Sequence, residues 1–337
     1  MLTFNVLKSH FHHIIFDAHF IPYMFDTIRV NLYKSTQQFF KISIKTKLNM
    51  QKKSIFIFVT LIACLLNSCV KYKQNKGLIS PESKETSINF TISKTLVILP
   101  IKVDGEDKNF ILDNGDNMTT ISRKVLKGRV TKVGSATGEK AKVGNEVVGS
   151  IKIGDSEFKN ICAQNLDLSV IENDVPNFGG LIGQAVLSKA NWLIDYPKKN
   201  IKISTKAINT DGFETISVKN VRDPFVEIQY EGISYKAFVD LGSTTAFSVL
   251  ESSKLGQILA KKYAFVSESK TTTTASGTGT STVQRGTISH IKIGNLKFDN
   301  LNTVMGKKSS HDIRIGMEFF KDKMLYLDYS NKNFKCK

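Results

Sequence analysis

Tyr235-Lys236-Ala237-Phe238-Val239-Asp240-Leu241-Gly242-Ser243 is an apolar strand that runs into an Asp-x-Gly turn and carries its carboxylate inward at the tip. The chain contains this stretch twice. The earlier copy reads Lys108-Asn109-Phe110-Ile111-Leu112-Asp113-Asn114-Gly115-Asp116, and in both a glycine (Gly105, Gly232) stands eight residues before the aspartate, where a hairpin turn feeds the strand. Asp-x-Gly alone is a common turn, so the weight rests on the residues downstream of each copy. After Asp113 come Ile151-Lys152-Ile153-Gly154, Phe158-Lys159-Asn160, Gly180-Leu181-Ile182-Gly183 and Trp192-Leu193-Ile194-Asp195-Tyr196. After Asp240 come Ile291-Lys292-Ile293-Gly294, Phe298-Asp299-Asn300, Ile313-Arg314-Ile315-Gly316 and Leu325-Tyr326-Leu327-Asp328-Tyr329. Landmarks repeated in one order, with loops of different length between them, indicate two homologous lobes. Two such aspartates indicate one shared site.

From about Leu96 to Lys337, on these motifs, the chain resembles the aspartic peptidase superfamily of pepsins and retroviral-type proteases, and bacterial retropepsin-like proteins in particular. The resemblance implies a mostly β fold: two homologous pepsin/retropepsin-like β-barrel lobes with short helices and a cleft between them. It implies Asp113 and Asp240 as the catalytic pair. Like charges that close cannot both ionise, so one carboxyl is the general base that deprotonates a water and the other is the acid that meets the developing oxyanion. Gly115 and Gly242 let the two turns approach. The family places Thr or Ser after each aspartate, whose hydroxyl ties the two turns together; here the residues are Asn114, whose amide can still bond, and Leu241, which cannot. Ser243 keeps the family's small hydroxyl and is expected to bond the outer oxygen of Asp240. Asp116 takes that place in lobe one, a third carboxylate expected to raise the pair's apparent pKa values.

The two lobes are expected at 91–205 and 206–337. Strands are expected over Thr95–Val103, Lys108–Leu112, Val147–Ile153 and Leu193–Ile203, and short helices over Ser122–Leu126, Gln184–Ala190, Ser252–Lys262 and Met317–Asp322. Asp195 and Asp328 read as turn aspartates of hairpins that close each lobe. The run Thr271–Thr282, with Ser276, Gly277 and Gly279, is either a flap or a surface loop, and a matching hairpin is expected around Gly134, Ser135 and Gly138. Neither stretch has a tyrosine, which pepsin-type enzymes carry on the first flap, so the likeness there is to the retropepsin side.

The first 49 residues fit neither lobe. They hold four of the six histidines, yet His10, His12 and His13 have no acidic or cysteine partner at ligand spacing, so no metal is expected, and no cofactor. Met50-Gln51-Lys52-Lys53 followed by the apolar run Ser54–Ala63 reads as an export signal over 50–69, too short to span a bilayer. It ends at Leu66-Asn67-Ser68-Cys69, which resembles a bacterial lipobox, with Cys69 the expected lipidation site and Cys64 a competing one. Residues 1–49 are then expected to be an extension upstream of the true start, and 70–90 a polar tether. The expected partners are a peptide or protein substrate and, through the lipid anchor, a membrane of the bacterial cell envelope.

The formal net charge is +17, but residues 1–68 hold eight Lys/Arg against two Asp/Glu, leaving about +11 on a chain processed at Cys69. The remaining lysines are scattered and do not interleave with aromatics, so no nucleic-acid partner is expected. Of the cysteines left, Cys162 and Cys336 fall in different lobes and are expected as two thiols, pairing in an oxidising compartment being the alternative. Two lobes in one chain remove the need for a homodimer, so a monomer is expected. Two functions fit: a membrane-tethered aspartic endopeptidase, favoured by the paired aspartates, and a non-catalytic peptide-binding lipoprotein of the same fold, favoured by Asn114, Leu241 and Asp116.

Overall fold

The computed structural model describes residues 76–82, 85–134, 140–218, 223–274 and 277–337. The 1–49 extension, the 50–69 signal, Cys69, Ser135, Gly138 and Ser276 lie outside the described residues.

Strand Leu96–Val103 buries its first four residues and then alternates, and its hairpin partner Glu106–Leu112 enters from solvent and ends in three buried residues, Phe110, Ile111 and Leu112. The turn between them has positive φ at both Asp104 (47°) and Gly105 (97°), and the equivalent turn of lobe two repeats this at Glu231 (50°) and Gly232 (76°). Two consecutive left-handed residues match the right-handed twist of a hairpin. The apolar second strand of each hairpin therefore leaves the turn with its tip directed into the molecule.

Each lobe closes into a six-stranded ring. In lobe one the order is Leu96–Val103, Glu106–Leu112, Phe178–Ile182, Thr120–Ser122, Ser156–Leu166 and Lys140–Ile153, the last pairing back on the first. In lobe two it is Phe225–Tyr230, Ile233–Val239, Ile313–Ile315, Phe247–Leu250, Leu296–Gly306 and Gly277–Ile293, closed by Gln229 opposite Lys292. The two rings have the same order and the same parallel and antiparallel senses. A closed ring leaves no free edge in the ring itself. Its interior holds the apolar side chains, among them Phe110, Ile151 and Phe158 in lobe one and Ile228, Phe247 and Ile291 in lobe two.

A six-stranded sheet joins the lobes, in the order Glu214–Ile216, Asn333–Cys336, Met324–Asp328, Asn191–Asp195, Asn200–Ser204, Thr86–Asn89. Three strands come from each lobe, and the pseudo-two-fold passes between Asn191–Asp195 and Met324–Asp328, where Trp192 faces Leu327 and Ile194 faces Leu325. Asp195 Oδ1 accepts the Lys198 N–H and Asp328 Oδ1 the Asn331 N–H, so both are turn residues of hairpins, in the interlobe sheet.

Two expectations are corrected. The tether over 70–90 does not extend to 90, because Leu78–Ser80 pairs with Ser156–Leu166 and Thr86–Asn89 with Asn200–Ser204. Thr86 is buried, and Ser87 donates to Asn200, so this polar segment is held by sheet pairing rather than by an apolar period. The helix over Ser122–Leu126 is absent. Thr120-Ile121-Ser122 is instead a strand between Phe178–Ile182 and Ser156–Leu166, which barrel closure requires and which its β-branched residues favour. The other short helices appear as Gln184–Leu187, Lys254–Lys262 and a 3-10 turn Met317–Phe320. Ser253 caps the second, its hydroxyl accepting the Gly256 N–H at 3.1 Å. Cys162 and Cys336 are free thiols, and burial pushes Cys336 up to about 11.

Candidate active site

Each aspartate is set by the strand that carries it and by the hydrophobic-Gly element paired to that strand. Asp113 N–H donates to Ile182 O at 3.0 Å and Asp240 N–H to Ile315 O at 2.8 Å, the same bond in the two lobes. Gly183 and Gly316 lie against the turns: a Cβ on Gly183 would sit 2.6 Å from Asp116 O, and one on Gly316 2.7 Å from Ser243 O. Any side chain there pushes the turn out of place. Within the turns, Asp113 Oδ1 accepts the N–H of Gly115 (2.9 Å) and of Asp116 (3.2 Å), and Asp240 Oδ1 accepts the N–H of Gly242 (3.2 Å).

The two tips meet. The two carboxyls are neighbours, and the charge of Asp240 is among the causes that raise Asp113. A Cβ on Gly115 would sit 2.8 Å from Asp240 Oδ1 and 3.1 Å from Asp113 Oδ1, and one on Gly242 2.6 Å from Asp113 Oδ2. Only glycine fits at either position. The Asn114 side chain ties the turns together: its Oδ1 accepts the Leu241 N–H at 2.7 Å, and its Nδ2 donates to Val239 O at 3.0 Å. Asn114 is held from behind, its carbonyl accepting from Gln184 Nε2 (2.7 Å), whose own oxygen accepts the Tyr329 hydroxyl (3.0 Å). Leu241 returns nothing polar; it is fully buried in the lobe-two core.

The surroundings of the two acids differ. Burial, then the charges of Asp240 and Asp116, push the Asp113 carboxyl well above its ordinary range, with the two turn N–H groups opposing. Burial also raises Asp240, but the Arg314 guanidinium, the Gly242 N–H, the bond from Asp113 and His311 all pull it down. Cationic support therefore lies on the Asp240 side of the pair and further negative charge on the Asp113 side. Asp116, itself raised by burial, accepts from Thr120 Oγ1 (2.7 Å) and Met118 N–H (3.0 Å), bonds that favour its ionised form against that burial.

Ser243 does not bond the outer oxygen of Asp240. Its hydroxyl turns to the Thr245 N–H (3.4 Å), and Asp240 Oδ2 is met by Arg314 Nε at 3.3 Å. That pair is ionic rather than hydrogen-bonded, because the Nε–H is misaligned and has no hydrogen-bond partner among the described residues. In the sequence Arg314 stands out only within the repeat Ile313–Gly316; the signal was an arginine in an apolar element whose lobe-one copy has Leu181. Two other neighbours were not legible there. His311 stacks on Phe238 (centroids 4.2 Å apart), with burial first and Arg314 second lowering its pKa. Lys270 Nζ donates to Thr245 Oγ1 at 2.9 Å.

Lys270 stands on the strand that leads into the Thr271–Thr282 region, which lies in a hairpin: Val266–Thr274 pairs with Gly277–Arg285, and the bond to Thr245 roots it beside the lobe-two turn. Its lobe-one counterpart, Thr131–Gly134 paired with Lys140–Val143, is shorter. Gly134 and Gly277 end the described strands at the two tips, and Gly279 lies opposite Thr272. A hollow of about 420 Å³ among Pro100–Lys102 and Asp107–Asn109 lies on the outer hairpin of lobe one and includes neither aspartate.

Two β lobes related by a pseudo-two-fold, with one Asp-x-Gly turn from each meeting the other, resemble the arrangement of aspartic peptidases. Consistent with that class, residues 226–319, the greater part of lobe two, match the family model described as aspartyl protease. Among solved structures, basic 7S globulin from soybean is similar at a TM-score of 0.47 and 9% identity, over 77% of this chain and 95% of that one. No curated protein matches the chain.

Proposed function

We propose that the protein is an aspartic endopeptidase, tethered to the cell envelope by a lipid on Cys69, that hydrolyses extended peptides held between its lobes. The observation that carries this reading is the meeting of Asp113 and Asp240 at the two turn tips, both raised by burial, with further negative charge beside Asp113 and the Arg314 guanidinium beside Asp240. Asp240 takes a proton from a water whose oxygen bonds to the peptide carbonyl carbon, while the Asp113 proton moves towards the carbonyl oxygen. Collapse of the tetrahedral species breaks the C–N bond, returning a hydroxyl proton to Asp113 while the amine leaves with the proton held by Asp240. Buried donors and carboxyls fixed by backbone bonds need little reorganisation as charge develops.

The second reading, a peptide-binding lipoprotein without turnover, draws on the Arg314–Asp240 ion pair, which makes Asp240 a weaker base. Incubation of the purified full-length protein with a mixed peptide library between about pH 3 and 7, around ordinary carboxylate pKa values, separates the two. Cleavage with a bell-shaped pH profile supports the enzyme. Peptides that bind and remain intact across that range overturn it in favour of the receptor.

A further inference from the structure

At equivalent places in the two lobes the site carries different charges. Leu181 of lobe one pairs with Ile111 on the Asp113 strand; Arg314 of lobe two pairs with Phe238 on the Asp240 strand. The Arg314 side chain is 16% exposed, bonds Ser310 Oγ through Nη2 at 3.1 Å, and, among the described residues, leaves its buried Nε–H without a hydrogen-bond acceptor 3.3 Å from Asp240 Oδ2. Lys270 approaches from the hairpin and is held by a neutral hydroxyl, that of Thr245. Its pKa is lowered by burial first and Arg285 second, with Glu268 opposing and Arg314 adding a smaller push in the same direction as Arg285. Arg314 thus meets the carboxylate of Asp240, with Lys270 as a second cation near Arg314, whereas on the other side of the pair the added group is the carboxylate of Asp116.

We propose that Arg314 and Lys270 form a carboxylate-binding subsite beside Asp240, so that the preferred substrate is an acidic peptide with Asp or Glu next to the scissile bond on the lobe-two side. The assignment rests on the interlobe site taking peptides, whether or not it cleaves them. A buried arginine donor without an acceptor is completed by a carboxylate and by few other side chains. The reaction adds a second reason. When Asp240 takes the water proton it loses its charge, and Arg314 loses its counterion in a desolvated site; a substrate carboxylate on Arg314 replaces that counterion. An acidic side chain therefore aids the chemical step as well as binding. Asp116 excludes the same side chain from the lobe-one side by repulsion.

The test uses the full-length protein in detergent and peptides that differ only by Glu or Gln at each position flanking the bond, with a second set differing only by a free or amidated C-terminus. We expect kcat/KM to favour internal Glu over Gln by about tenfold or more, the scale of one charge-assisted hydrogen bond, with part of the gain in kcat. Free and amidated ends should behave alike. Arg314→Leu, the lobe-one residue, should bring the Glu/Gln ratio close to one, and Lys270→Gln should lower it. A ratio near one in the wild type, or a ratio that both substitutions leave unchanged, overturns the proposal. So does selectivity confined to free C-termini, which would make the ligand a chain end. If the wild type cleaves nothing, calorimetric titration of the same peptides decides: tighter binding of Glu peptides, lost in Arg314→Leu, upholds the subsite while the peptidase reading falls, and equal or absent binding overturns the subsite.

Discussion

Asn114→Ala is the perturbation that probes how the two turns are held. Asn114 is 1% exposed and makes two bonds to the lobe-two turn and its strand, to Leu241 N–H at 2.7 Å and Val239 O at 3.0 Å. Truncation leaves one donor and one acceptor without partners where water does not reach. Each orphaned group costs about 1–3 kcal/mol, so the loss should be about 2–6 kcal/mol, measured as a lower midpoint of urea unfolding at unchanged slope. The same change frees the turns to shift, and a displacement of order an ångström lowers a reaction that depends on alignment by about a hundredfold. Asn114→Asp is the graded control. Its carboxylate still accepts from Leu241 N–H but sets an oxygen without a proton against Val239 O, so it should be close to wild type in acid and lose stability as it ionises. Asn114→Ala with a midpoint within about 0.5 kcal/mol of wild type, the range of ordinary surface changes, and with undiminished cleavage, would refute the clasp.

Asp116→Ser removes a charge that helps Asp113 keep its proton, so the alkaline limb of the pH profile of kcat/KM should move to lower pH; an unmoved or raised limb contradicts the electrostatic assignment. Asp113→Asn should raise the melting temperature near neutral pH. Because the folded pKa of Asp113 lies above the unfolded one, native stability declines as pH rises from the ordinary Asp range to the raised value, by about 1.4 kcal/mol for each unit between them. The gain from Asn should therefore vanish in acid, and melts at both ends of that window check it. Mass spectrometry of the membrane fraction should find a lipidated Cys69 as the first residue, where an unlipidated chain beginning at Met1 would remove the anchor from the proposal.

The parts of this molecule that were legible in the sequence are those where local chemistry and repetition agree. The strand before each aspartate, the two-residue turn at Asp104-Gly105 and the order of the landmarks were each written twice, and they yield the two barrels. Thr120–Ser122 was not legible, because a three-residue strand has no period and its existence is dictated by closure of a ring whose other members lie far away in sequence. Thr86–Asn89 was hidden for a related reason: its place in the interlobe sheet comes from pairing with Asn200–Ser204, and its own residues are polar. At the site, the pattern Asp-Asn-Gly and Asp-Leu-Gly told that one tie was lost, but not that Asn114 makes two bonds by itself. Ser243 misled because a family position was read without Arg314, which reaches Asp240 from a strand more than seventy residues later.

The central claim is that Asp113 and Asp240 act as one unit, and a double-mutant comparison tests it most directly. On a peptide the wild type cleaves, kcat/KM is measured for Asp113→Asn, for Asp240→Asn and for the two combined, each checked for a native melt. A pair that shares one proton loses its chemistry when either acid is removed, so each single substitution should abolish cleavage, and the double should lose no more than the singles. Cleavage that survives in either single variant, or losses that add in the double, would mean that the two aspartates meet without working together.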